Sequence, residues 1–206
     1  MNKGMLIVIE GIDGAGKSTL AQSLAQQLQK DGHSVLLTKE PGGSKLGKQL
    51  RTILQTQPIP ITPIAEYLLF AADRAQHIEQ VVKPALEKGI IVISDRMADS
   101  SLAYQGYGRG IDRNHIRSIN TWAMQNVQPN IVFYLKINAA QAIERLATRI
   151  TVSAFEKENI SFIERLITGF DEIFAQRTNV ISLDGTLDPQ TLTTIACNNI
   201  YSWHQQ

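Results

Sequence analysis

The chain has 206 residues, 43% apolar and 19% charged, with a formal charge of +1, the balance of a globular protein rather than a disordered one. Near-neutrality argues against general attraction to nucleic acid or an anionic membrane, so any basic chemistry must be local. The single Cys197 cannot form an internal disulfide, and the four histidines (His33, His77, His115, His204) lack the spacing of a zinc site.

The chain opens on Met5 to Leu20, MLIVIEGIDGAGKSTL. Its apolar run Leu6 to Ile9 predicts a central parallel strand. That run is too short for a signal peptide or a membrane span, and the expected location is a reducing cytoplasm. Gly11, Gly16, Lys17 and Ser18 then satisfy GxxxxGK[ST], and Leu20, Ala21, Leu24, Ala25 and Leu28 recur at helical spacing until Asp31-Gly32. Strand, glycine loop and helix in this order make a phosphate cradle. Gly11, Gly14 and Gly16 let backbone N–H groups turn inward beside the helix N-terminus. Lys17 is expected to reach the β and γ phosphates, and Ser18 to ligate the accompanying Mg²⁺. Asp13, Ala15 and Thr19 complete the residues expected around the nucleotide.

Further strands are predicted at Val35 to Leu37, Ile90 to Ile93, Ile131 to Ile137 and Val180 to Leu183. Helical patterns lie between or after them at Leu46 to Leu54, Ile64 to Leu86, Arg113 to Met124, Ala139 to Arg149, Phe155 to Gln176 and Pro189 to Trp203. Asp112, Asn138 and Asp188 sit where N-caps belong, and Pro189 fits a first helical position. The alternation predicts an α/β protein with a five-stranded parallel sheet flanked by helices. With no repeat or linker, residues 1–206 read as one domain.

Open parallel sheets bind ligands beyond the carboxyl ends of their strands, so the residues there carry the functional question. After the second strand come Lys39-Glu40-Pro41-Gly42-Gly43 and, further on, Arg51, which by themselves read as a connection and a solvated arginine. On the helix from Ile64, Leu68, Leu69, Ala72, Ala75 and Val82 form the expected core stripe, while Phe70, Arg74 and His77 fall on another face. Phe70 and Arg74, one turn apart, suit stacking on a base and gripping its phosphate. Equally, Phe70 belongs to the core and Arg74 pairs with Asp73 or Glu66. The strand from Ile90 ends in Ser94-Asp95-Arg96, placing a carboxylate for a second Mg²⁺ contact and a guanidinium for a transferring phosphoryl group. A surface salt bridge is the weaker reading of that pair. Ser100, Ser101, Tyr104 and Gln105 follow, with hydrogen-bonding edges suited to a base or sugar.

Four segments together resemble the thymidylate kinase family of P-loop nucleoside monophosphate kinases. They are Glu10 through Ser18, Glu40-Pro41-Gly42-Gly43, Leu68 through Arg74, and Ser94-Asp95-Arg96 continuing through Ser100 to Gln105. The resemblance implies a three-layer P-loop NTPase fold with a small lid at about residues 145–156, transfer of the ATP γ-phosphoryl group to dTMP with Mg²⁺, and a cytoplasmic homodimer. It implies that Asp13 binds the sugar 3′ hydroxyl, that Phe70 stacks on thymine, and that Arg51, Arg74 and Arg96 hold the monophosphate near Pro41. Ser101, Tyr104 and Gln105 would line the base and deoxyribose pocket, and Lys17 and Arg96 would stabilise the transferring charge.

The resemblance weakens over the lid. Relatives carry Asp-Arg-Phe-Glu there, whereas this chain reads Ser153-Ala154-Phe155-Glu156, and Ala15 in the loop supplies no arginine either. Arg149, with Arg145 one turn earlier, is the nearest candidate for the phosphate clamp, although both also fit the charged end of an amphipathic helix. Met97 stands where relatives carry an aromatic residue, and Asp184-Gly185-Thr186 is a plausible purine loop that any surface turn would resemble. Two rivals stay open: another pyrimidine monophosphate such as dUMP as acceptor, or a catalytically weak nucleotide-binding regulator. The chain has no Asn-Lys-x-Asp guanine-reading motif to favour the latter.

Overall fold

The computed structural model describes residues 4–56, 59–147 and 159–204. Among them, β1 (Met5–Glu10), β2 (Val35–Lys39), β3 (Ile91–Asp95), β4 (Ile131–Lys136) and β5 (Val180–Asp184) form one parallel sheet in the order β2-β3-β1-β4-β5. All six residues of β1 are buried, as the unbroken apolar run requires of a strand covered on both faces. The chain leaves β1 toward β2 on one side and returns past it to β4 on the other, which puts the switch point, and hence the crevice, at the carboxyl ends of β1 and β3. There Ile9 lies opposite Asp95, and Asp95 opposite Lys39.

α1 (Lys17–Lys30) buries Leu20, Ala21, Leu24, Ala25 and Leu28 as its periodicity predicts, and ends at Asp31 before Gly32, which takes a φ of 88°. α9 (Pro189–His204) packs against it, with the Ser23 and Thr193 hydroxyls 2.7 Å apart. α2 (Lys45–Thr56) follows β2, and the long helix expected from Ile64 is present as α3 (Pro63–His77), a π-helical turn Ile78–Val82, and α4 (Lys83–Glu87). α5 (Ala98–Ser101) runs into a second π-helical stretch, Leu102–Gly108, where a wider turn re-aims side chains relative to a regular helix. Asp112 caps α6 (Arg113–Met124) by accepting from the Asn114 amide, and Asn138 caps α7 (Ala139–Ala147) by accepting from that of Gln141. α8 (Ile160–Phe174) starts where Asn159, in extended conformation, accepts from the Phe162 amide. That cap places the start five residues after the expected Phe155, which lies outside the described residues.

One sequence expectation is corrected. Of the stripe expected on α3 and its continuation, only Val82 is fully buried, and Leu68 is 49% exposed. The buried face instead carries Glu66, Tyr67, Ala71, Asp73, Arg74 and His77. The reason is that α3 lays this face over the polar floor of the cleft, where charged groups find partners, with only Tyr67 and Ala71 joining Leu102 and Ile116 in a small apolar cluster beside it. Its apolar side chains Ile64 and Leu68 turn outward.

Across the sheet, Phe170 of α8 is wholly buried between Phe174 and Tyr134, with Tyr104 edge-on at 6.4 Å. This aromatic cluster is the packing behind Tyr104. Phe170→Ala should therefore cost about 3–5 kcal/mol of stability in urea unfolding. A loss under about 1 kcal/mol would show that the cluster repacks without it.

Candidate active site

The loop between β1 and α1 is held from below. A Cβ on Gly11, whose φ is 143°, would stand 2.6 Å from the Leu135 carbonyl oxygen of β4, so no side chain fits there. The Ala15 amide donates to the Ile12 carbonyl, and Gly16, with a φ of 96°, hands the chain to α1. Gly11 and Ala15 are buried and shape the loop from behind. α1 has neither a capping side chain nor an acidic residue in its first turn. Its leading amides, which lack intrahelical acceptors, and its positive dipole end are thus presented to an anion. Lys17 Nζ donates to the Ile12 carbonyl at 2.7 Å and lies 3.9 Å from Asp13. Burial and the neighbouring Arg96 push its pKa down to about 8.

Ser18 and Asp95 meet at the crevice, the Ser18 hydroxyl donating to Asp95 Oδ2 at 2.5 Å. Asp95 Oδ1 is buried with no hydrogen-bond partner among the described residues. A hydroxyl and an orphaned carboxylate oxygen suit a hard cation that keeps most of its water, as Mg²⁺ does. No group of three or more His, Cys, Asp or Glu side chains among the described residues offers an all-protein metal cage.

One cavity of about 530 Å³ runs from Gly14, Gly16, Lys17, Ser18 and Thr19, past Asp95 and Arg96, to Pro41, Arg51, Phe70, Arg74, Ser101, Tyr104 and Gln105. Arg96, a non-glycine residue at φ 72°, stands at its middle. Its Nη1 donates to the Gly11 carbonyl and Ser100 Oγ, its Nη2 to Asp13 Oδ1 at 2.5 Å and the Tyr104 hydroxyl. The Tyr104 hydroxyl in turn donates to Asp13 Oδ2. Burial alone would raise the Asp13 carboxyl, but Arg96 and Lys17 outweigh it and hold the group well below the usual carboxylate range. Arg51, half-buried, donates to the Pro41 carbonyl at 2.9 Å.

Arg74 lines the cavity with most of its donors already committed. Nε donates to Glu40 at 2.9 Å, Nη1 to Asn120 at 2.6 Å, and Nη2 to Ser101 Oγ and the Met97 carbonyl. Its carboxylate partner is Glu40, neither Asp73 nor Glu66. Glu40 also meets His77 Nδ1 at 3.0 Å, and the opposite edge of that ring reaches Thr38. A Cβ on Gly43 would come within 2.5 Å of the His77 ring, which explains the glycine there.

Sequence reasoning missed the buried acids beneath the site. Glu10 is wholly buried and accepts from the Met97 amide, the Ser100 amide and the Ser100 hydroxyl, the last of which also accepts from Arg96. Burial and Asp99 push Glu10 up to about 7. Asp73, raised to about 6 by burial and by Glu40, accepts from the Gly42 amide. For Glu10 the available signal was a charged residue closing an apolar strand, the same feature that marked Asp95, whereas Asp73 lies within α3 and carries no such mark. Arg145 donates to the carbonyls of Gly185 and Gly14, which ties the Asp184-Gly185-Thr186 turn to the phosphate loop. Arg149 and the segment Ser153 to Glu156 lie outside the described residues.

Comparison with known proteins agrees with this geometry. The family described as Thymidylate kinase matches residues 9–194. Thymidylate kinase of Clavibacter sepedonicus is 46% identical over 81% of this chain and 80% of its own. That of Desulfovibrio desulfuricans is 38% identical over 95% of this chain and 94% of its own. The crystal structure of thymidylate kinase from Ehrlichia chaffeensis superposes with a TM-score of 0.78 at 31% identity, covering 96% of this chain and 98% of that one. No relative among these supports a regulator that binds nucleotide without transfer. A phosphate loop, a carboxylate-hydroxyl pair and an arginine-lined second compartment thus occur on a backbone shared with these enzymes, and the chain belongs to the thymidylate kinase family.

Proposed function

We infer that this chain transfers the γ-phosphoryl group of ATP to dTMP, giving dTDP for dTTP synthesis. The single observation that carries this reading is the continuity of the cavity, with the phosphate loop at one end, Phe70, Arg74 and Gln105 at the other, and Asp95 and Arg96 between. Two nucleotides sharing this space, one on the phosphate loop and one beside Phe70, would meet phosphate to phosphate at Arg96.

On the donor side, Gly14, Gly16, Lys17, Ser18 and Thr19 hold the triphosphate on a loop shaped by Gly11 and Ala15, and the turn held by Arg145 lies beside the purine. Ser18 and Asp95 hold Mg²⁺, which when bound neutralises charge on the phosphates. On the acceptor side, Arg51 and Arg96 grip the monophosphate near Pro41. Arg74, its charge already met by Glu40, frames the base with Ser101 and Gln105 while the Phe70 ring stacks on it. Asp13, kept ionised by Arg96 and Lys17, accepts from the sugar 3′ hydroxyl beside Tyr104. No protein base is needed, because the acceptor phosphate oxygen is already ionised. The protein's task is alignment and charge stabilisation, which fall to Lys17 and Arg96, with Arg149, outside the described residues, as the expected phosphate clamp.

One domain in a homodimer fits the remaining observations. Exposed apolar side chains Ile53, Ile64, Leu68 and Trp122 lie on the neighbouring helices α2, α3 and α6, and Trp122 is 83% exposed. Among the described residues no helix is long and apolar enough to cross a membrane, and a cytoplasmic enzyme supplied with cellular ATP is the reading we adopt.

Three measurements test this. Arg96→Ala should lower kcat by about a hundredfold or more in a folded protein, and an unchanged turnover would remove Arg96 from the chemistry. Arg149→Ala should slow single-turnover transfer by about tenfold or more; equal rates would put the clamp elsewhere. Lys17, down at about 8 before nucleotide arrives, must be charged to hold phosphate. ATP binding should therefore take up a proton above pH 8 and weaken by up to about tenfold per pH unit there. Calorimetry in buffers of different ionisation heat reads that proton, and pH-independent affinity across this range would overturn it.

A further inference from the structure

We propose that Glu66 is a specificity-determining positioning residue. It fixes the side-chain amide of Gln105 so that the carbonyl oxygen faces the acceptor cavity, and the enzyme thereby selects bases bearing a ring N–H donor, thymine and uracil, over cytosine. The proposal rests on the reading that Gln105 faces the base.

Gln105 lies in the π-helical stretch Leu102–Gly108, is 1% exposed, and lines the cavity. Its Nε2 donates to Glu66 Oε1 at 3.0 Å. Glu66, 2% exposed, stands on α3 one turn before Phe70, and the same carboxylate oxygen lies 3.6 Å from Arg109 Nε. A carboxylate paired with a guanidinium can only accept, whereas an amide offers a donor at one end and an acceptor at the other. Turning the Gln105 amide over would set its carbonyl oxygen against the Glu66 oxygen, acceptor facing acceptor, and cost the buried amide its partner, a penalty well above thermal energy. One orientation is therefore held, and Oε1 is the end left for the ligand. It accepts from no described residue.

A fixed acceptor of this kind distinguishes pyrimidines at their Watson–Crick edge. Thymine and uracil carry N3–H, which donates to it, while cytosine presents a bare ring nitrogen whose lone pair opposes it. A site built to accept a hydrogen bond rejects an analogue that cannot donate much more strongly than an apolar pocket rejects a missing methyl group. Free of Glu66, the amide would serve either base by turning over. Arg74, which can only donate, lines the same cavity and still favours a base carbonyl, so selectivity without Glu66 falls and does not vanish.

The test measures kcat/KM for dTMP, dUMP and dCMP in wild type, Glu66→Gln, Glu66→Asp and Gln105→Ala, with thermal stability and the KM for ATP recorded alongside. Glu66→Gln, which can pair with either end of the Gln105 amide, should narrow the preference for dTMP over dCMP by about tenfold or more. It should leave the dTMP to dUMP ratio and the KM for ATP unchanged, since both those acceptors carry N3–H. Glu66→Asp, still accept-only, should keep the preference closer to wild type and provides a second arm if the Gln variant is unstable. If Gln105→Ala narrows the dTMP to dCMP ratio but both Glu66 variants keep it, Glu66 does not set the amide and the inference fails while the reading of Gln105 survives. If Gln105→Ala also keeps it, that reading fails as well. A uniform loss on all three acceptors together with lowered thermal stability would reduce Glu66 to a structural role and equally overturn the proposal.

Discussion

The contact on which the site depends is the partly buried fork of Arg96 on Asp13 and the Gly11 carbonyl. It ties the end of β3 to the loop after β1, so the residues that face a donor and those that face an acceptor share one frame. Removing either partner strips the other of its counter-charge in a cleft that water reaches only in part. Its surroundings are built to prevent that. Ser100 and Tyr104 take up one further donor from each terminal guanidinium nitrogen, and Glu10 fixes Ser100 from below. Arg96 also takes a left-handed backbone conformation that a non-glycine residue adopts only when its neighbours hold it there. Geometry of this rigidity is what electrostatic stabilisation of a phosphoryl transfer demands, because dipoles already in place need no rearrangement at the moment of reaction.

Most of what is local could be read from the sequence. The phosphate loop and α1 were legible because strand, glycines and helix each carry their own signal over sixteen residues, Met5 to Leu20. The five strands were legible for the same reason, and Asp95 and Arg96 stood out as charges delivered by an apolar strand. The inward face of α3 was not legible. Leu68 and Ala72 satisfy a helical stripe in the sequence, yet they face outward while Glu66, Asp73, Arg74 and His77 face inward. Periodicity reports which residues share a face, and hydrophobicity then chooses the wrong one when the buried surface is a charged cleft floor. The partners of Arg74 were invisible for a different reason. Glu40 and Asn120 lie 34 and 46 positions away along the chain, and no local pattern links them. The helical stretch through Tyr104 and Gln105 also carries no regular period, because a π turn breaks it.

The floor of the cleft is unusual in how many acids it buries. Glu10, Glu40, Glu66 and Asp73 are all nearly inaccessible, and each is met by a cation, an amide or a hydroxyl from a different element. Unpaired, each would be costly. Together they act as a second layer that fixes the side chains lining the cavity: Glu10 orders the turn through Ser100, Glu40 directs Arg74, and Glu66 directs Gln105. The ligand-facing arginines and amides thus arrive with their orientations already settled, and the ordering entropy is spent when the chain folds instead of when a nucleotide binds.

The contact of Gly11 with β4 has a mechanical consequence. With its α-carbon seated against the Leu135 carbonyl, the loop rests on the sheet like a bearing on its housing and has no room to sink. Spent nucleotide cannot be let go by a yielding floor. Nucleotide must instead leave toward the open side of the cleft, away from the sheet and past the helix that carries Phe70.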